Sequence, residues 1–346
     1  MLYIPTGGTY SAETGQDDAV KRMQMQTTDS PDTTLQDAVI QPRRGFRHSS
    51  SASARLVARR VSLAVASQLM NGVSWGLRKI PPALRYLPAD CITMPVSYLL
   101  AGKVRVARKN YATALGLAVA DPKVSRLARQ SIRNYGRMAI DFLAARTASA
   151  AELSNRMTGI GDEYYYDALG DSHGVIFALP HLGSWDVAAV LAEAYGAKLT
   201  IVTESDWATE LVAGARVGHG VTLVPRDRSL RALFRALARK ETVVLLADIA
   251  NDGVQTVNVP FFGKPAPFPV GPARLAVRTR APIVVVSCVR RPDRTYLMEA
   301  QAPLRPDPAK SEDENVAALT AAMAAGFARI IATYPEHWYP YHPMWA

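Results

Sequence analysis

The chain has 346 residues, 49% of them hydrophobic, which is enough to bury a large core as one sizeable domain or two smaller ones. Its two cysteines, Cys91 and Cys288, lie far apart with no CxxC partner; they exclude a disulfide framework and a structural zinc site, fit a reducing compartment, and both read as core thiols. The net charge of +10 is unevenly placed, since residues 55–110 carry ten Lys/Arg against Asp90 alone, while residues 1–54 carry five against six Asp/Glu.

Residues 1–54 are rich in Ser, Thr, Asp, Gln and Gly without apolar periodicity, so they are expected to form a disordered tail ahead of one domain over 55–346. Their start lacks the basic stretch and apolar run of a secretory signal. Residues 55–110 read as basic, amphipathic, membrane-contacting helices. Val57, Val61, Ala64, Val65, Leu69 and Gly72 follow a helical stripe behind Arg55, Arg59 and Arg60, the pattern of a helix lying in an anionic lipid surface. Gln68 falls on that stripe, and an ordinary core helix with a solvated basic end is the competing reading. Val61 to Leu77 is too short and too interrupted by polar residues to span a bilayer. Aromatic and basic residues do not alternate as nucleic-acid binding requires, so no nucleic-acid partner is expected. Two more helices follow, "ARKNYATALG" and "KVSRLARQSIRNYGRMAIDFLAAR".

From about residue 174 short apolar runs alternate with helical patterns: "GVIFALP", "WDVAAVLAEAY", "KLTIVTE", "ELVAGARVG", "VTLVP", "SLRALFRALARK", "TVVLLAD". Runs apolar on both faces and joined by helices predict an α/β fold with a mostly parallel central sheet flanked by helices. "PIVVVSCVR" and "TYLMEAQAPLR" extend it as an antiparallel edge pair. A last helix opens with a capping box, Ser311 and Glu314, and runs to about Ala332.

The chemistry centres on "ALPHLGSWDVA", residues 178–188. A His followed five positions later by an acid is common by chance; what strengthens this one is that His181 ends a predicted strand, where parallel α/β sheets bind ligands. Gly183 would allow a tight turn and Ser184 a helix cap, bringing Asp186 into the first turn. A carboxylate on one imidazole nitrogen leaves the other free to take a proton, so His181 reads as a general base oriented by Asp186. Glu204, Arg216 and Asp248 are expected on the same sheet edge. Residues 257–276, "VNVPFFGKPAPFPVGPARLA", read as an aromatic, Pro- and Gly-rich loop able to line a cleft, with Phe262 and Gly263 as substrate contacts; a plain structural loop is the alternative. There is no GxSxG elbow and no metal-ligand cluster such as HExxH, so no metal is expected.

"LPHLGSWDVA", "VPFFGKPAPFPVGPARLA" and the ending "IATYPEHWYPYHPMW" together resemble the acyl-CoA-dependent acyltransferases with an HxxxxD or HxxxxE motif, over about residues 58–346. The resemblance is to the branch holding the lipid A secondary acyltransferases and the actinobacterial phosphatidylinositol mannoside acyltransferases, and is closer to the latter. It implies a glycerolipid acyltransferase-like fold, His181 as base, Asp186 as its orienting partner, and Glu204, Arg216 and Asp248 around the acceptor site. It also implies acyl-CoA of palmitoyl type as co-substrate with no bound cofactor. The implied acceptor is a mannose hydroxyl of phosphatidylinositol mono- or dimannoside, met by a peripheral protein at the cytoplasmic face of the plasma membrane. A lipid A precursor, a lysophospholipid, or a non-catalytic role in binding anionic lipid are the alternatives. One departure stands out: the mannoside enzymes carry Glu then Arg where this chain has Asp248 then Ile249.

Overall fold

The computed structural model describes residues 50–171, 173–191, 196–203, 221–226, 229–250 and 253–345. The tail expected over 1–54 lies outside them except for residues 50–54, which already belong to the first helix. The N-terminal part is helical: α1 (Ser50–Lys79), α2 (Pro82–Arg85), α3 (Leu87–Leu99), α4 (Ala101–Leu115) and α5 (Pro122–Ala145), then the short α6 (Ala150–Ser154). Asp121 caps α5 by accepting from the Lys123 amide at 2.7 Å, with Pro122 at the first helical position.

The amphipathicity of α1 is inverted relative to a helix of a water-soluble core. Several of its polar residues point inward: Arg146 donates to Asn71 Oδ1 and Ser67 Oγ, the Ser74 hydroxyl meets Thr147 Oγ1 at 2.8 Å, and Arg78 donates to the Thr147 carbonyl. Val65, Leu69, Val73 and Trp75 face out, the last 62% exposed. The described part of the predicted stripe is thus a solvent-facing surface, and the core-helix reading does not hold there. In α3, Leu87, Ile92, Tyr98 and Leu99 are exposed as well. Cys91 shares that exposed side, which corrects its expected burial: α3 packs on α5 through Ala89 and Thr93, the latter over Gly136, and Cys91 falls outside that seam. Cys288 is buried as expected.

The chain then alternates: β1 (Met157–Ile160), α7 (Asp162–Gly170), β2 (Val175–Leu179), α8 (Trp185–Leu191), β3 (Leu199–Thr203), β4 (Val221–Pro225), α9 (Ser229–Ala238) and β5 (Thr242–Leu246). After β6 (Thr256–Phe261) and β7 (Lys264–Pro269) come α10 (Gly271–Thr279), β8 (Ile283–Arg290), β9 (Tyr296–Ala300) and α11 (Glu312–Thr333). The fold is α/β, with a seven-stranded sheet in the order β1-β9-β8-β2-β5-β3-β4. The strands from β8 to β4 are parallel, while β9 is antiparallel to β8 and parallel to β1. The predicted antiparallel pair therefore exists, but β1, unread in the sequence, makes the edge. Only four residues long and half exposed, β1 carries too little pattern to be seen.

The main core fills one side of the sheet with Ile176, Leu237, Ile283, Met323, Phe327 and Trp338, all at most 1% exposed. By length and composition α11 could cross a membrane, yet half of its apolar window is buried, as in a core helix. The predicted capping box opens it, Ser311 Oγ accepting from the Glu314 amide and Glu314 from the Ser311 amide.

Candidate active site

In β2 and β5 the register sets Leu179 opposite Leu246. Two residues further on, both chains leave the sheet at the carboxyl edge, and His181 and Asp248 arrive side by side. Asp248, 1% exposed, accepts twice from His181: from the backbone amide to Oδ2 at 2.9 Å and from ring Nδ1 to Oδ1 at 2.6 Å. Facing a carboxylate, Nδ1 carries the ring proton and leaves the Nε2 lone pair available. Burial alone pushes the imidazole pKa down, but the Asp248 charge and hydrogen bond outweigh it and hold it above 6.5. The His181 side chain stays 29% exposed, with the Trp185 ring edge-on at 5.7 Å.

The loop carrying His181 is gripped from both sides. Gly183 has φ +74°, and a Cβ there would run into the Cys288 carbonyl oxygen, so the turn foreseen at this glycine admits no side chain. Ser184 N donates to that same carbonyl at 2.6 Å, and the Ser184 carbonyl accepts from Ala188 at the start of α8. From the other side comes the aromatic ending: Tyr339 N donates to His181 O at 2.9 Å, Gly183 N to His337 O at 2.8 Å, and Leu182 bridges Trp338. Tyr111 locks this segment in turn, its hydroxyl within 2.7 Å of the Pro335 and Trp338 carbonyls.

The carboxylate on the ring is therefore Asp248 and not Asp186, which is the main correction to the sequence reading. Asp186 is buried in the first turn of α8 and has an interaction of its own; its charge, after burial, helps raise the pKa of nearby Tyr135. Glu204 and Arg216 lie outside the described residues. Residues 257–276 are also not the loop expected from their prolines and glycines: β6 and β7 form a hairpin, with Phe262 (φ +50°) and Gly263 (φ +75°) as its two-residue turn. Phe262 packs against Phe261 and Trp338, so it braces the segment that holds the His181 loop. Sequence reasoning missed Trp338 and Tyr339 as supports; the aromatic density of "PEHWYPYHPMW" was the available signal. Among the described residues no group of His, Cys, Asp or Glu is placed to hold a metal ion.

A parallel α/β sheet that presents a carboxylate-held imidazole with a free nitrogen at its carboxyl edge has the geometry to exchange a proton with a neighbouring group. Residues 56–346 match the family described as bacterial lipid A biosynthesis acyltransferase, and the chain belongs to that family. It is 31% identical over 247 residues to the phosphatidylinositol mannoside acyltransferase of Mycolicibacterium smegmatis, across 69% of this chain and 78% of the relative. To the protein of the same name from Mycobacterium tuberculosis it is 30% identical over 252 residues, across 69% and 76%. A crystal structure of a 1-acyl-sn-glycerophosphate acyltransferase from Thermotoga maritima aligns with 79% of this chain and 98% of its own, at 13% identity and a TM-score of 0.36, too distant to speak to activity.

Proposed function

We propose that this chain transfers a long-chain acyl group from acyl-CoA of palmitoyl type to a mannose hydroxyl of phosphatidylinositol mono- or dimannoside, working as a peripheral protein at the cytoplasmic face of the membrane. The observation that carries the chemistry is the 2.6 Å contact between His181 Nδ1 and Asp248, which frees Nε2 at the open sheet edge. The names of the relatives support the acceptor.

In this reading Nε2 takes the proton of the acceptor hydroxyl as its oxygen attacks the thioester carbonyl. The tetrahedral adduct collapses with expulsion of the CoA thiolate, which recovers the proton from the imidazolium. Asp248 stabilises that imidazolium and fixes the ring; no acyl-enzyme forms. Asp186 supports the site from the first turn of α8, and Glu204 and Arg216 contact the acceptor. The outward apolar residues of α1 and α3, together with the basic block of residues 55–110, suit a protein resting on anionic lipid.

The test is mass spectrometry of products from purified protein given acyl-CoA and a panel of acceptors: the two mannosides, a lipid A precursor and a lysophospholipid. An acylated mannoside that His181→Ala does not form is the expected result. Acylation of another acceptor alone would move the substrate, and absence of CoA release with all of them would leave a lipid-binding protein without catalysis.

A further inference from the structure

A cavity of ≈ 720 Å³ opens where the end of α1, α2, the last turn of α5 and α6 meet the start of β9. Neither His181 nor Asp248 lines it, and the apolar cluster of Phe142, Ala145, Val187 and Cys288 lies on its sheet side. Four cations reach its wall, Arg78, Lys79, Arg85 and Arg156, with two carboxylates, Asp141 and Glu152. Each has a partner, although Asp141 Oδ2 is buried without a hydrogen bond. Glu152 holds Arg78 at 2.5 Å, while Asp141 accepts from the Tyr86 hydroxyl and lies 3.4 Å from Arg290, which is not a wall residue.

Arg85 is left over. It is 7% exposed, its Nη2 reaches only the Ile80 carbonyl at 3.3 Å, and its Nε is buried without a partner. Among the described residues no carboxylate pairs with it. Arg156 is half-buried, donates to the Arg294 carbonyl at 2.7 Å, lies over the Tyr296 ring, and its charge acts on Asp141. Lys79 sits over the exposed Trp75 at the rim. A buried guanidinium without a counter-charge is unfavourable, and its planar fork of donors matches the oxygens of a phosphate.

We propose that this cavity binds a phosphate ester, with Arg85 and Arg156 donating to its oxygens and Lys79 completing the charge at the rim. The site stands on its own geometry, independent of the acyl acceptor. The phosphate arrives from one of two sources: a lipid headgroup reached past exposed Trp75 and Leu84, or a soluble phosphate.

The experiment has two arms with the full chain: flotation with phosphatidylcholine vesicles with and without phosphatidic acid, and thermal melting in inorganic phosphate against chloride of equal ionic strength. Arg85→Gln and Arg156→Gln are compared with Arg129→Gln, which removes the same charge from an exposed position on α5 outside the basic block. Loss of a charge-assisted hydrogen bond predicts about tenfold or more weaker binding for the first two, and about twofold or less for the third. A deficit of the cavity variants in the vesicle arm identifies a headgroup; a deficit confined to the melting arm identifies a soluble phosphate. Equal behaviour of all three variants, or a wild type indifferent to phosphate in both arms, overturns the proposal. Should Arg85→Gln fail to fold, Arg156→Gln and the wild-type titrations decide it by the same criteria.

Discussion

Replacing Asp248 by Asn tests the central geometry most directly. Asp248 receives two donors, the His181 amide and ring Nδ1, on its two oxygens. An amide of the same shape has one acceptor oxygen, so its NH₂ must face either the backbone N–H or the ring N–H. A buried donor left facing another donor costs about 1–3 kcal/mol, and the imidazolium formed in the reaction loses its counter-charge as well. Together these predict a fall in kcat of roughly 10²- to 10⁴-fold, the range of a lost general base. The acid limb of the rate profile should also move. Asp248 is what raises the imidazole above 6.5 against the opposing effect of burial. The base works when neutral, so wild-type activity should fall as pH drops through that raised value; in Asp248→Asn burial alone remains and the limb shifts to lower pH. The assay is thiol release from acyl-CoA, followed across pH with acceptor saturating. A variant within about threefold of wild type, with an unmoved acid limb, would refute Asp248 as the partner of His181.

His181→Ala should reduce turnover by about a hundredfold or more, measured by the same thiol release, and should lower the thermal midpoint because Asp248 stays buried without its ring donor. Asp186→Asn should cost less than Asp248→Asn; the reverse order in a side-by-side kcat measurement would restore Asp186 to the orienting role. Gly183→Ala should destabilise the fold by more than about 2 kcal/mol, read from urea midpoints, because φ is +74° and the Cys288 carbonyl fills the space. Buried His337 is held down to about 4, chiefly by burial and then by Arg290, against 6.5 when unfolded. The unfolded chain therefore binds the extra proton between those values, and His337 should withdraw roughly 3 kcal/mol of stability as pH falls from 6.5 to 4. Calorimetric midpoints of wild type and His337→Gln over that window should converge at acid pH, and parallel curves would contradict the assignment.

Most strands are legible because apolar runs such as "GVIFALP" and "TVVLLAD" announce burial on both faces, and the Ser311–Glu314 box marks the start of α11. His181 was legible for the same local reason: it ends a strand. Its partner was not. Asp186 is near in sequence and on the expected helix, whereas Asp248 reaches the ring only because β5 pairs with β2 in one register, a long-range fact absent from spacing. The hairpin of β6 and β7 was hidden by prolines that normally argue against strands. Phe262 and Gly263 hide a tight turn of the kind usually written with Asn and Gly. Cys91 reads as a core thiol until it is known which side of α3 meets α5.

The brackets that hold the HLGS turn come from residues made long after it during synthesis. A growing chain, or a fragment cut before His337, carries the imidazole without Tyr339 and His337 to fasten its backbone. Competence for chemistry is thereby coupled to completion of the aromatic segment, and partial polypeptides should be catalytically silent even where their sheet has already formed.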